Sequence, residues 1–95
     1  MQMNDIIKKL KINGFVKSDF LSRMVHPKST EFFVDMYYYS GCRCIEIGDR
    51  RNRAFLRTSS IKTFVIEPGY DGIYFGITLT NKDKDNEIYL FCAFD

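Results

Sequence analysis

The chain has no tryptophan, one histidine, two prolines and only two alanines among its 95 residues. The lone histidine, His26, precedes a proline and has no Gly-x-Ser-x-Gly elbow, His-Glu-x-x-His helix or glycine-rich phosphate loop to work with. Carboxylate pairs are available in Glu46/Asp49 and Asp83/Asp85, and the latter lies in a polar hairpin loop where solvation is the default reading. No enzyme is predicted. No apolar run approaches the roughly 20 residues that span a bilayer, and residues 1–14 are amphipathic and lysine-bearing rather than built like a signal peptide. The expectation is a soluble, cytoplasmic protein with no membrane partner.

Three cysteines, Cys42, Cys44 and Cys92, are odd in number and lack the framework of a small secreted domain, so they read as reduced thiols. With His26 they would make four zinc ligands by arithmetic, but the paired C-x2-4-C spacing of structural zinc sites is missing. The run from Asn81 to Asn86 has the alternating acids of a calcium loop without its central glycine or its terminal glutamate, and reads as a flexible loop. No metal and no cofactor is expected.

Neither sign of charge dominates, since the formal net charge is +2. The distribution is uneven, however. Residues 1–30 carry six basic and two acidic side chains, residues 43–62 again six and two, and residues 63–95 two and six. A basic part and an acidic part can act as separate surfaces if the fold keeps them apart. The length allows one domain, residues 1–95, because a second core could not be buried. Free use of Lys, Ile, Asn, Tyr and Phe is a bias shared by AT-rich genomes, those of many phages among them.

The periodicity predicts an α+β fold. Asn4-Asp5 can cap a helix with Ile6, Ile7 and Leu10 on its apolar side, ended by Gly14. Ser18 can cap a second, shorter helix that buries Phe20, Leu21 and Met24 and stops at His26-Pro27. From Thr30 the period becomes two. Strands are expected at residues 31–39, 42–47, 53–57, 62–67, 73–80 and 88–94, with turns at Ser40-Gly41, 48–52, Ser59-Ser60 and Pro68-Gly69. The last two strands each carry one aliphatic face that must be covered, and the two N-terminal helices are the evident cover. The predicted architecture is therefore two short helices on one face of a five- or six-stranded antiparallel, meander-like sheet.

Two clusters stand out as candidate binding residues. Arg50, Arg51, Arg53 and Arg57 crowd a turn and the strand after it, where guanidinium forks suit carboxylates or phosphates. Tyr37, Tyr38 and Tyr39 are consecutive, so a period of two cannot bury all three on one face. With Phe33, Tyr74, Tyr89 and Phe91 they are expected to give the sheet a second, aromatic face. Lys8, Lys9 and Lys11 form a further basic surface on the first helix.

Aromatics beside arginines mark the centres of protein interfaces and also single-stranded nucleic-acid platforms. The residues therefore predict a non-enzymatic binding protein. The expected form is a phage- or mobile-element-type inhibitor that sterically blocks a host bacterial protein, such as a nuclease or another defence protein, in the host cytoplasm. The alternative is a small nucleic-acid-binding protein using the same arginines and tyrosines. A homodimer through a self-complementary aromatic face is compatible with either.

Overall fold

The computed structural model describes residues 1–20 and 22–95. Helix α1 covers Met3–Ile12, and Ile6 and Leu10 are its fully buried residues. Gln2 rather than Asn4 takes the N-cap place, and Asp5 falls in the first turn, where a carboxylate meets the positive end of the helix dipole. The helix ends as expected. Gly14 has φ +90°, its N–H donates to the Lys11 carbonyl, and the Phe15 N–H reaches back to Leu10, a Schellman closure that drops Phe15 into the core.

Among the described residues the expected second helix is absent. Strands β1 (Val16–Lys17) and β2 (Arg23–Val25) pair as a hairpin there instead. Ser18 spends its hydroxyl on the Phe20 N–H within the hairpin turn, and its own N–H donates to the Arg23 carbonyl. Met24 is buried between the less buried Arg23 and Val25, so its period is two. Phe20 is exposed, and Leu21, the other residue given to that helix, lies outside the described residues.

Strands β3 (Phe33–Tyr39), β4 (Cys42–Gly48) and β5 (Arg53–Arg57) continue from this hairpin, giving a five-stranded antiparallel meander in the order β1-β2-β3-β4-β5. Ser40 and Gly41, at φ 52° and 80°, make the two-residue turn between β3 and β4. The single continuous sheet expected from the sequence is then corrected at Thr58–Ser60. These residues turn into a short 3-10 helix, and β6 (Ile61–Pro68), β7 (Tyr74–Asn81) and β8 (Asn86–Ala93) form a separate three-stranded sheet. Thr58 and Ser60 are buried there, with the Ser60 hydroxyl donating to Asp83 and the Lys82 N–H to the Ser60 carbonyl.

The covering layer is thus the second sheet. Val34, Met36, Ile45, Ile47 and Leu56 from the first sheet share one core with Phe64, Ile77, Leu79, Leu90 and Cys92 from the second. Two sheets with one apolar face each satisfy both by closing on one another. Helix α1 adds Ile6 and Leu10 to this core, and Lys9 donates its ammonium to the Phe64 carbonyl of β6. Among the described residues, no helix is long and apolar enough to cross a membrane.

His26 ties the two sheets together. It is buried among rings, parallel to Phe94 at 5.0 Å and edge-on to Phe15 and Phe75 at 5.2 and 5.3 Å. Its Nδ1 accepts the Lys28 N–H, which leaves the proton on Nε2, beside the backbone of Asn13. Burial pushes the imidazole below its ordinary value of 6.5, and the nearby Lys28 charge pushes the same way, against the Asn13 hydrogen bond. The folded protein therefore holds fewer protons here than the unfolded chain once the pH falls below 6.5. Stability is expected to be fully present above that pH and to be lost as the pH drops through the lowered value. Thermal unfolding followed between about pH 8 and pH 5 reads this directly. A His26→Phe protein keeps a ring in the cluster and should show a flatter profile, and an equal slope in both proteins would remove His26 as its source.

Candidate functional site: the outer face of the first sheet

The register of the meander builds its outer face in cross-strand rows. Val25, Phe33, Gly48 and Arg53 form one row; Arg23, Asp35, Glu46 and Phe55 form the next; Tyr37, Cys44 and Arg57 follow, and Tyr39 sits opposite Cys42 at the end. Alternation puts Val34, Met36, Ile45, Ile47, Ala54 and Leu56 on the core side, and on the outer side Phe33, Asp35 and Cys44 are buried while Tyr39 and Phe55 lie open.

At one end the charges satisfy one another. Arg23 grips Asp35 through Nε and Nη2 at 2.9 and 3.0 Å, and its guanidinium lies 4.3 Å from the centre of the Phe33 ring and 5.0 Å from Phe20. The hydrogen bond to Asp35 raises the Arg23 pKa above its ordinary value despite partial burial. Arg53 donates to Glu46 at 3.1 Å, and the Tyr37 hydroxyl approaches the other Glu46 oxygen at 3.4 Å. Burial first, and then the Glu46 charge, push the Tyr37 phenol up. A hollow of about 420 Å³ lined by Ser22, Asp35, Tyr37 and Glu46 opens beside this network.

At the other end the face is aromatic and open. Tyr39 is 60% exposed and Phe55 50%, and the rings meet edge-on at 5.7 Å, with Tyr37 against Phe55 at 6.1 Å. Arg57 is exposed one row away. Back at the charged end, beyond Gly48 and Arg53, Arg50 and Arg51 project from the β4–β5 turn, which Asp49 organises by accepting the Arg51 and Asn52 N–H groups on one carboxylate oxygen. Asp49 is thereby committed to the turn and, among the described residues, forms no ion pair with the neighbouring guanidinium groups.

The residues singled out from the sequence are therefore divided. Tyr37, Tyr39, Arg53 and Arg57 share the outer face, Arg50 and Arg51 stand at its hairpin rim, and Arg53 is engaged with Glu46. Tyr38 has the core-side parity but sits beyond the covered part of the strand, exposed, with the Arg43 guanidinium 5.0 Å from its ring. Lys8 and Lys11 are exposed on α1, which packs on the core side of the sheet, and Lys9 serves the β6 backbone. Tyr74, Tyr89 and Phe91 do not join Tyr37 and Tyr39 in one aromatic face. They lie on the outer face of the second sheet, because that sheet turns its own apolar side to the common core. Phe55 and Arg23 are the additions that the sequence reading missed. Alternation within Arg53–Arg57 carried the signal for Phe55, while Arg23 was obscured by the assignment of residues 18–25 to a helix.

The four candidate zinc ligands do not converge. Cys92 is buried in the core of the second sheet, where desolvation pushes its thiol up to about 11, whereas Cys42 and Cys44 lie on the outer face of the first. Among the described residues, no group of three or more His, Cys, Asp or Glu side chains is placed to hold a metal.

No family model matches the chain, and comparison with curated proteins and with solved structures finds no match.

Proposed function

We propose that this chain is a small non-enzymatic protein that acts by covering the surface of another protein, with the outer face of its first sheet as the contact. The reading rests on one observation. Tyr39 and Phe55 lie open on the sheet with Arg57 one row away, the face's carboxylates are already paired, and Arg50 and Arg51 stand on the turn at the opposite rim of the same face. Tyrosine and arginine are enriched at the centres of protein interfaces, and a strand-borne aromatic pair loses little side-chain freedom on binding. Steric block of a bacterial protein, as by inhibitors of phage or mobile-element origin acting in the host cytoplasm, is the form of action that the chain length and composition favour.

Asp35 and Glu46 favour a protein over a nucleic acid. They lie on the same face, and they engage Arg23 and Arg53, two of the guanidinium groups a phosphate backbone would require. The test is affinity capture from bacterial lysate with nuclease added, followed by titration of the captured partner at several salt concentrations. A stoichiometric protein is expected, with salt acting chiefly on the association rate. Recovery of nucleic acid alone, or affinity falling by about one power of salt concentration per contact, would transfer the face to nucleic-acid binding.

A further inference from the structure

The second sheet turns a different surface outward. Glu67, Gly76 and Phe91 form one cross-strand row, with Thr78 and Tyr89 in the next and Tyr74 opposite Ala93. Phe91 stands edge-on to Tyr74 at 5.4 Å and to Tyr89 at 4.9 Å, and so fixes both rings. Between them is a hollow of about 290 Å³, walled by Tyr70, Tyr74, Tyr89 and Glu67 and floored by Gly69 and Gly76.

The two glycines distinguish this hollow from a chance gathering of rings. Neither has the positive φ that calls for glycine. A Cβ at Gly69 would lie 2.3 Å from the Tyr74 ring, and one at Gly76 would lie 2.7 Å from the Tyr89 hydroxyl. Both positions thus give up a side chain where a tyrosine is seated against the backbone, although a strand glycine weakens its sheet.

We infer that this hollow binds an arginine side chain presented by a partner protein, with Tyr70, Tyr74 and Tyr89 around the guanidinium and Glu67 neutralising it. Aromatic rings attract cations through their negative faces, and a planar, weakly hydrated guanidinium stacks on them well. Glu67 belongs to neither of the ion pairs formed among the described residues, Arg23–Asp35 and Arg53–Glu46, so its carboxylate is available. The surroundings carry the same sign: Asp71 lies in the adjoining turn, and residues 63–95 hold six acids against two bases. Anions are therefore disfavoured. Tyr70 is 96% exposed, so the hollow is open on that side and a lone guanidinium compound binds weakly, saturating only at high concentration. A side chain carried on a protein surface gains the rest of that interface as well.

The test is an NMR titration of the full chain with N-acetyl-arginine-N-methylamide and, separately, with its citrulline counterpart, which keeps the shape and loses the charge. Saturable shifts confined to the amides of Gly69 and Gly76 and the rings of Tyr74 and Tyr89 are expected for the arginine compound alone. Glu67→Gln, a surface change that leaves the fold intact, and Tyr74→Leu should each weaken binding by roughly tenfold. Equal binding of the citrulline compound, or no shift with either, overturns the inference. Concentration-dependent self-association that disappears in an Arg50→Glu/Arg51→Glu protein also overturns it, because the arginine would then come from a second copy of this chain.

Discussion

Serine at both Tyr39 and Phe55 is expected to weaken binding of the captured partner by about 100-fold or more while the domain stays folded. Truncating a central interface aromatic costs about 2 kcal/mol or more, and every 1.4 kcal/mol is about tenfold in affinity. The two rings touch at 5.7 Å, so their effects will not simply add. The cost to folding is smaller. Both rings are at least half exposed, and the edge-on pair contributes about 1 kcal/mol beyond its buried area. Calorimetric titration of the variant, with far-UV circular dichroism as the control for folding, separates the two effects. Unchanged affinity in a folded Tyr39→Ser/Phe55→Ser protein would rule out the outer face of the first sheet as the contact. Charge reversal of the arginines belongs in the same series but must be confined to Arg50 and Arg51. Reversing Arg53 as well would place a carboxylate against Glu46 and confound binding with repulsion inside the sheet.

The largest stability loss is expected from Gly48→Ala, about 4 kcal/mol. Gly48 ends β4 with φ +140°, a conformation that side-chain-bearing residues rarely adopt and that costs about 1–3 kcal/mol to impose. A Cβ there would also lie 2.1 Å from the Asn52 carbonyl oxygen and 2.6 Å from the Arg53 Cα. Both obstacles are backbone, so no rotamer change relieves them, and overpacking of this kind adds about 1–3 kcal/mol. In a domain of this size the loss lowers Tm by roughly 20 °C. Gly41→Ala is the comparison. Its φ is +80°, but its Cβ meets nothing within 4 Å, so only the conformational cost of about 1–2 kcal/mol remains. Equal losses in the two proteins would mean that the β4–β5 turn can rebuild itself around the methyl group. On the proposed contact the position bears on binding too, because Gly48 leads into the turn that carries Arg50 and Arg51 at the rim of the outer face.

Residues whose roles depend on near neighbours in the chain were the legible ones. Helix α1 and its closure at Gly14 follow from Ile6, Leu10 and a residue that tolerates φ +90°. The hairpin faces of β7 and β8 follow from Phe75, Ile77 and Leu79 alternating with Tyr74, Gly76, Thr78 and Thr80, and from Ile88, Leu90 and Cys92 alternating with Tyr89, Phe91 and Ala93. The segment from Ser18 to His26 misled because Phe20 and Met24 stand four residues apart, and a serine that can cap a helix can also close a hairpin turn. In β2 only three residues pair, too short a run for its period to declare itself, and Met24 faces inward because Val34 lies opposite it.

The sequence by itself determined that the chain is α+β with antiparallel strands, which side of each long strand is apolar, where the arginines crowd a turn, and that three adjacent tyrosines cannot share one face. Those are properties of spacing along the backbone. Only the tertiary structure decided that the sheet divides at Thr58–Ser60, that its halves close on each other, and that the aromatic residues separate onto two outer surfaces. It also decided which charges are consumed: Arg53 by Glu46, Arg23 by Asp35 and Lys9 by a carbonyl of β6. The physical reason is common to all of these. An apolar strand face specifies that it must be covered but not by what, and a charged side chain specifies its sign but not its partner. Both are chosen by residues distant in sequence that the packing of the two sheets brings together.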